Sequence, residues 1–154
     1  MEIVACVVGA ADVTARASSK IWRLCELWKD APQDAYHLRD ELGRASRFFD
    51  AIKSGIQESF SVSPSQTVLM DLTSLLNQGH HTVSTLQVLF DELLSDRDGL
   101  EKDSGALPHQ NSAVELSKKR KLRWMKRLHK IKRLRASLRQ TTEQIGLFLS
   151  LLNV

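Results

Sequence analysis

Cysteine occurs twice, proline three times, glycine seven times and tyrosine once in 154 residues. Two cysteines are too few for a disulfide scaffold, and their placement argues further against one. If Cys6 and Cys25 share a helix, nineteen residues at about 1.5 Å each separate them by roughly 28 Å. A disulfide needs Cα atoms within about 7 Å. So little glycine and proline disfavours turn-rich β architectures and low-complexity chain. The uncharged stretch at the N-terminus, Ile3–Ala11, ends at Asp12, whereas a membrane span needs about 20 apolar residues. The same stretch lacks the basic start of a secretory signal, since Glu2 is the only charge ahead of it. The expected compartment is the cytosol.

Catalytic and cofactor signatures are also missing. The sequence has no GxxxxGK[ST], GxGxxG, CxxC or HExxH pattern. His80 and His81 are adjacent, which on a helix points them about 100° apart. His37, His109 and His129 stand alone. The carboxylates Asp91, Glu92, Asp96 and Asp98 read as a solvated acidic surface beside a loop. The expectation is a non-enzymatic protein with no catalytic residues, no cofactor and no metal.

What is present is a globular composition, with 42% hydrophobic and 26% charged residues, enough for one domain over 1–154. Four segments carry a helical rhythm and none alternates as a strand. In about 3–29, Val7, Ala11, Thr14, Ser18, Ile21, Cys25 and Trp28 form one stripe, whose small middle would let a neighbouring helix approach closely. Asp30-Ala31-Pro32 ends it. In about 33–60 the stripe is Leu38, Leu42, Ala45, Phe49, Ile52, Ile56 and Phe60, with Asp34 as a candidate cap and Gly55 as an internal weakness. Ser63-Pro64 signals the next start. In about 64–96 the stripe is Val68, Leu72, Leu75, Leu76, Val83, Leu86, Phe90 and Leu93, interrupted at Gln78-Gly79-His80-His81, where a bend or break is expected. A loop is expected over about 97–112. In about 113–152 the apolar face is Trp124, Leu128, Ile131, Leu134, Leu138, Thr142, Ile145, Leu149 and Leu152. Four long amphipathic helices with mostly short connections predict an all-α fold, an antiparallel four-helix bundle.

Charge is distributed unevenly. Residues 118–139 hold twelve of the 22 Lys and Arg and none of the 18 Asp and Glu. Lys119, Arg123, Lys126, Lys130 and Arg133 recur at steps of four and three, and Arg127 extends the set. Four readings of this stripe compete. It could be a solvated face whose stems cover apolar neighbours. It could bind anionic lipid, at about 1 kcal/mol per Lys or Arg near the surface. It could track nucleic-acid phosphates. It could be a calmodulin-type target anchored by Trp124. The absence of any recognition module, and of stacking aromatics other than Trp124, argues against nucleic acid.

Three stretches together carry a family resemblance: IVACVVGAADVTARASSKIWRL, DAPQDAYHLRDELGRASRFFDAI and LRWMKRLHKIKRLRASLRQTTEQIGLFLSLL. The chain resembles, over essentially its whole length, the fungal N-terminal domain of STAND proteins, the HeLo-like group found ahead of nucleotide-binding and repeat regions in NLR-like receptors. It is also similar to the N-terminal domain of azaphilone pigment cluster protein L. The resemblance implies a helical signalling domain that oligomerises, disturbs membranes and causes cell death or incompatibility, with nucleotide-binding and repeat regions in a longer parent protein. It implies that the N-terminal helix is the inserting element, here Ile3, Val4, Val7, Val8, Gly9, Ala10 and Ala11. The related HELL group has a glycine zipper in this helix, where this sequence has Gly9. The expected sequence of events is recruitment, from the cytosol to the plasma membrane, of the face Lys119, Arg123, Lys126, Arg127, Lys130 and Arg133 by anionic lipid or an acidic partner. Insertion or exchange of the first helix between protomers follows. The alternative is an adaptor that binds itself or other helical domains without lipid.

Overall fold

The computed structural model describes residues 2–59, 66–94 and 110–152. They form four helices: α1 (Glu2–Leu27), α2 (Gln33–Ser59), α3 (Gln66–Leu94) and α4 (Gln110–Leu152). No strand occurs among the described residues. The fold is an all-α helical bundle, as the periodicity requires. Helix boundaries fall within three residues of those read from the sequence. Residues 110–112, expected in a loop, begin α4 instead. The remainder of that loop, the Ser63-Pro64 start signal, Phe60, and the side chains of Ile56 and Leu152 lie outside the described residues.

The α1–α2 corner follows from Pro32. The Trp28 N–H still bonds to the Leu24 carbonyl at 3.0 Å, and then the Ala31 N–H closes a turn on the Trp28 carbonyl at 3.2 Å. The Ala35 N–H bonds to the Pro32 carbonyl at 2.9 Å, so Pro32 opens α2. Asp34 is inside the first turn rather than at its cap, where its charge still favours the helix dipole.

Three pairs set the orientation of α1 and α3. The Cys6 Sγ donates to Asn77 Oδ1 at 3.6 Å, Gly9 faces the His80 ring, and the Lys20 ammonium pairs with Asp91 at 2.6 Å. Both residue numbers rise together, so α1 and α3 run parallel. Between α3 and α4 the order reverses: Gly79 lies by Thr141, Thr82 by Ser137 and Glu92 by Arg127. The bundle thus runs up-down-up-down, with α1 and α3 as a close central pair, α2 against α1, and α4 against α3.

Small side chains permit that central pairing. Ala10, Ala11, Thr14 and Ala17 are all buried on α1. The Thr14 hydroxyl is satisfied by the Ala10 carbonyl at 2.6 Å, so it enters the core at no net loss of a hydrogen bond. Larger residues fill the core toward the α1–α2 corner, Leu24, Trp28, Leu38 and Phe90 among them. Trp28 and Trp124 meet edge to face with centroids 6.0 Å apart, a favoured geometry for two ring quadrupoles.

The expected break at Gln78–His81 does not occur. α3 is continuous there, and Gly79 is buried. A Cβ on Gly79 would lie 3.5 Å from the Thr141 methyl and 3.6 Å from Phe49 Cζ. The glycine marks where α3 is approached by both α2 and α4, so its role is packing rather than interruption.

Candidate functional site

The structure sorts the twelve cations of residues 118–139 into three groups. Arg120 is buried, although its charge places it with the surface residues in the sequence. Four others meet carboxylates or a carbonyl on neighbouring helices. The Arg135 guanidinium lies 2.8 Å from Glu41 Oε2, and Arg139 binds the other oxygen of the same carboxylate. Arg127 pairs with Glu92 at 3.4 Å, and the Arg123 guanidinium donates to the Glu92 carbonyl at 3.4 Å. The remaining seven, Lys118, Lys119, Lys121, Lys126, Lys130, Lys132 and Arg133, are exposed and form no ion pair among the described residues.

Of the six residues singled out by spacing, Lys119, Lys126, Lys130 and Arg133 therefore share an open face. Arg123 and Arg127 sit at its edge, tied to the C-terminal end of α3. A shallow groove of about 340 Å³ there is lined by Glu92, Leu93, Arg123, Lys126 and Arg127. Sequence spacing missed Lys118, Lys121 and Lys132. They extend the charge round the helix beyond the four-three stripe, and only the burial of Trp124, Ile131 and Leu138 shows how much of the circumference faces outward.

Two large apolar side chains interrupt the cationic surface. Leu122 is 60% exposed and Met125 is 61% exposed. At i and i+3 they are neighbours on the outer side of α4. Trp124, by contrast, is 2% exposed and packed on Trp28. It cannot anchor a calmodulin-type complex or stack on a base without opening the bundle.

The seven residues of the candidate inserting helix are divided by the fold. Ile3, Val7, Ala10 and Ala11 are in the core. Val4 and Val8 are exposed on the outer side, and Gly9 is half-buried against His80. In this arrangement α1 is packed between α2 and α3. No helix among the described residues is long and apolar enough to cross a membrane.

A second feature lies between α2 and α4. Glu41, Arg44, Ala45, Phe48, Leu138, Arg139, Thr142 and Glu143 line a groove of about 510 Å³. Burial pushes the Glu41 carboxyl up, but the hydrogen bonds and charges of Arg135 and Arg139 outweigh it and hold the pKa below its ordinary value. The Glu41 contact in turn raises the Arg139 pKa. Arg39 stacks over Trp22 at 4.2 Å and reaches Tyr36 at 5.1 Å, forming a small cation–π cluster on the opposite flank.

Cys25 is buried, and desolvation together with Asp40 raises its thiol pKa against the opposing pull of Arg39. Its thiol is held neutral, as a small core side chain. Both cysteines are free. No group of His, Cys, Asp and Glu able to hold a metal occurs among the described residues.

The chain matches no family model, no curated protein and no solved structure.

Proposed function

We propose that the protein is a non-enzymatic helical signalling domain of the HeLo-like type found at the N-terminus of fungal STAND proteins. It is drawn to anionic membrane surfaces by the outer face of α4 and acts through oligomerisation in cell-death or incompatibility signalling. The observation that carries the recruitment step is the set of seven exposed cations on α4 with no carboxylate partner among the described residues. Near an anionic surface each contributes about 1 kcal/mol, and nothing in residues 118–139 offsets them. Insertion or exchange of α1 is a later step, which requires Ile3, Val7, Ala10 and Ala11 to leave the core.

The test is co-sedimentation with anionic and neutral vesicles, with dye release read in the same samples. Anionic-selective binding that falls with salt is expected, and Lys126→Glu, Lys130→Glu and Arg133→Glu together should abolish most of it. Equal sedimentation of wild type and the charge-reversed variant would overturn recruitment by α4. The adaptor reading draws support from the groove between α2 and α4, where half-buried Phe48 forms part of the wall. It predicts association with another helical domain, with no lipid dependence and no dye release.

A further inference from the structure

We infer that α4 does not merely hover over an anionic bilayer by charge but lies flat in its headgroup layer, with Leu122 and Met125 seated among the upper acyl carbons. This rests on the membrane reading above and goes beyond it by naming the contact and its depth. The argument starts from exposure. Among the described residues of α4, Leu122 and Met125 are among the large hydrophobic side chains most open to solvent. They lie within the acid-free segment; exposed lysines precede them at 118, 119 and 121 and follow them at 126. Beyond them Lys130, Lys132 and Arg133 continue the charge for about two more turns, so the cationic face is about 22 Å long at 1.5 Å per residue.

That pattern is the one an interfacial helix needs. Apolar side chains at the centre of a face enter the acyl boundary, while flanking lysines reach the phosphates with their long stems. Charge complementarity decides the occupant. An acidic protein helix would satisfy the lysines and leave Leu122 and Met125 against carboxylates. Nucleic acid would place them against phosphates with no base within reach. An anionic bilayer supplies negative charge at the rim and hydrocarbon beneath it. The opposite side of α4 remains in the bundle through Trp124, Ile131 and Leu138, so docking needs no unfolding. α1 keeps its place, which assigns first contact to α4 rather than to the N-terminal helix.

The experiment uses vesicles of phosphatidylcholine with and without phosphatidylserine, at low and high salt. The proteins are the wild type, Leu122→Gln/Met125→Gln, and Val8→Gln as a control on the exposed side of α1. Both double-variant positions are exposed, so its melting curve should match wild type. Its partitioning onto phosphatidylserine vesicles is expected to fall about tenfold or more. The binding that remains should vanish at high salt, where wild type retains a part of its own. Val8→Gln should partition like wild type. If wild type binds and the double variant binds equally well with the same salt dependence, the apolar seat is refuted while recruitment by charge stands. If Val8→Gln loses the binding instead, α1 is the contact and the assignment to α4 falls. If wild type binds neither vesicle, the membrane reading itself falls, and with it this inference. Tighter binding of a DNA oligonucleotide than of phosphatidylserine vesicles would reassign the face to phosphates without a hydrocarbon layer.

Discussion

Gly79 and Thr141 form one contact whose two halves predict different outcomes. Glycine in a helix interior costs about 1 kcal/mol relative to alanine. The space at Gly79 accepts a methyl group at ordinary van der Waals distance from Thr141 and Phe49. Gly79→Ala should therefore raise stability by up to about 1 kcal/mol. Gly79→Leu drives a larger side chain between α2 and α4 and should cost about 1–3 kcal/mol. Thermal melts of the two variants read the difference in sign. Thr141 is fully buried, and its hydroxyl has no hydrogen-bond partner among the described residues. A buried unsatisfied hydroxyl costs about 1–3 kcal/mol. Thr141→Val keeps the branched shape and removes the hydroxyl, so it should raise the urea midpoint by the equivalent of about 1 kcal/mol without changing the slope. A lower midpoint would mean that the hydroxyl is satisfied in solution.

At the scale of elements, α2 and α4 are joined by an ion-paired contact. Glu41 carries the contact, with Arg135 and Arg139 on its two oxygens. Glu41→Gln should cost about 1 kcal/mol near neutral pH, a modest figure because Arg139 is solvent-screened. The pH dependence follows from the depressed carboxyl pKa. The contribution is present in full above the unfolded value of 4.5 and is lost as pH falls through the lower folded value. Wild type should thus lose stability on acidification more steeply than Glu41→Gln, and the two melting midpoints should converge well below pH 4.5. Parallel curves would place the energy of this seam elsewhere. Packing also limits what α1 can do. Its apolar run reads in sequence as a candidate for insertion, yet the side chains that would enter lipid are the ones that hold α2 and α3 together. The 71-residue offset shared by the α1–α3 hydrogen bond and ion pair keeps that helix parallel to α3 along its length.

Over the whole molecule, charge is separated as well as patterned. On the neighbouring helices, Glu41, Asp91 and Glu92 are already engaged by Arg135, Arg139, Lys20 and Arg127. The outer face of α4 keeps its cations at mutual distances of one helical turn, as in Lys126 and Lys130, where like charges repel. Lys126→Gln, Lys130→Gln and Arg133→Gln together should leave stability unchanged or slightly raised at low salt, with the difference gone at high salt. They should weaken binding to anionic vesicles at the same time. A face present only to solvate the bundle would show the first effect without the second.

Helix number, their boundaries within three residues, and most of the buried stripe followed from the sequence, because a 3.6-residue period needs only local spacing to be read. The concentration of cations in residues 118–139 was equally legible, since charge is a property of the residue. The partition of those cations was not. Whether Arg120 is buried, Arg135 and Arg139 are bound to Glu41, or Lys126 and Lys130 are open depends on helices more than thirty residues away. Gly79 looked like a break for the same reason, since its neighbours Phe49 and Thr141 are remote in the chain. The parallel contact of α1 with α3, and the exposure of Leu122 and Met125 beside buried Trp124, were likewise decided by tertiary structure. Periodicity marks an apolar stripe but does not say how wide a strip of it the neighbouring helices will cover.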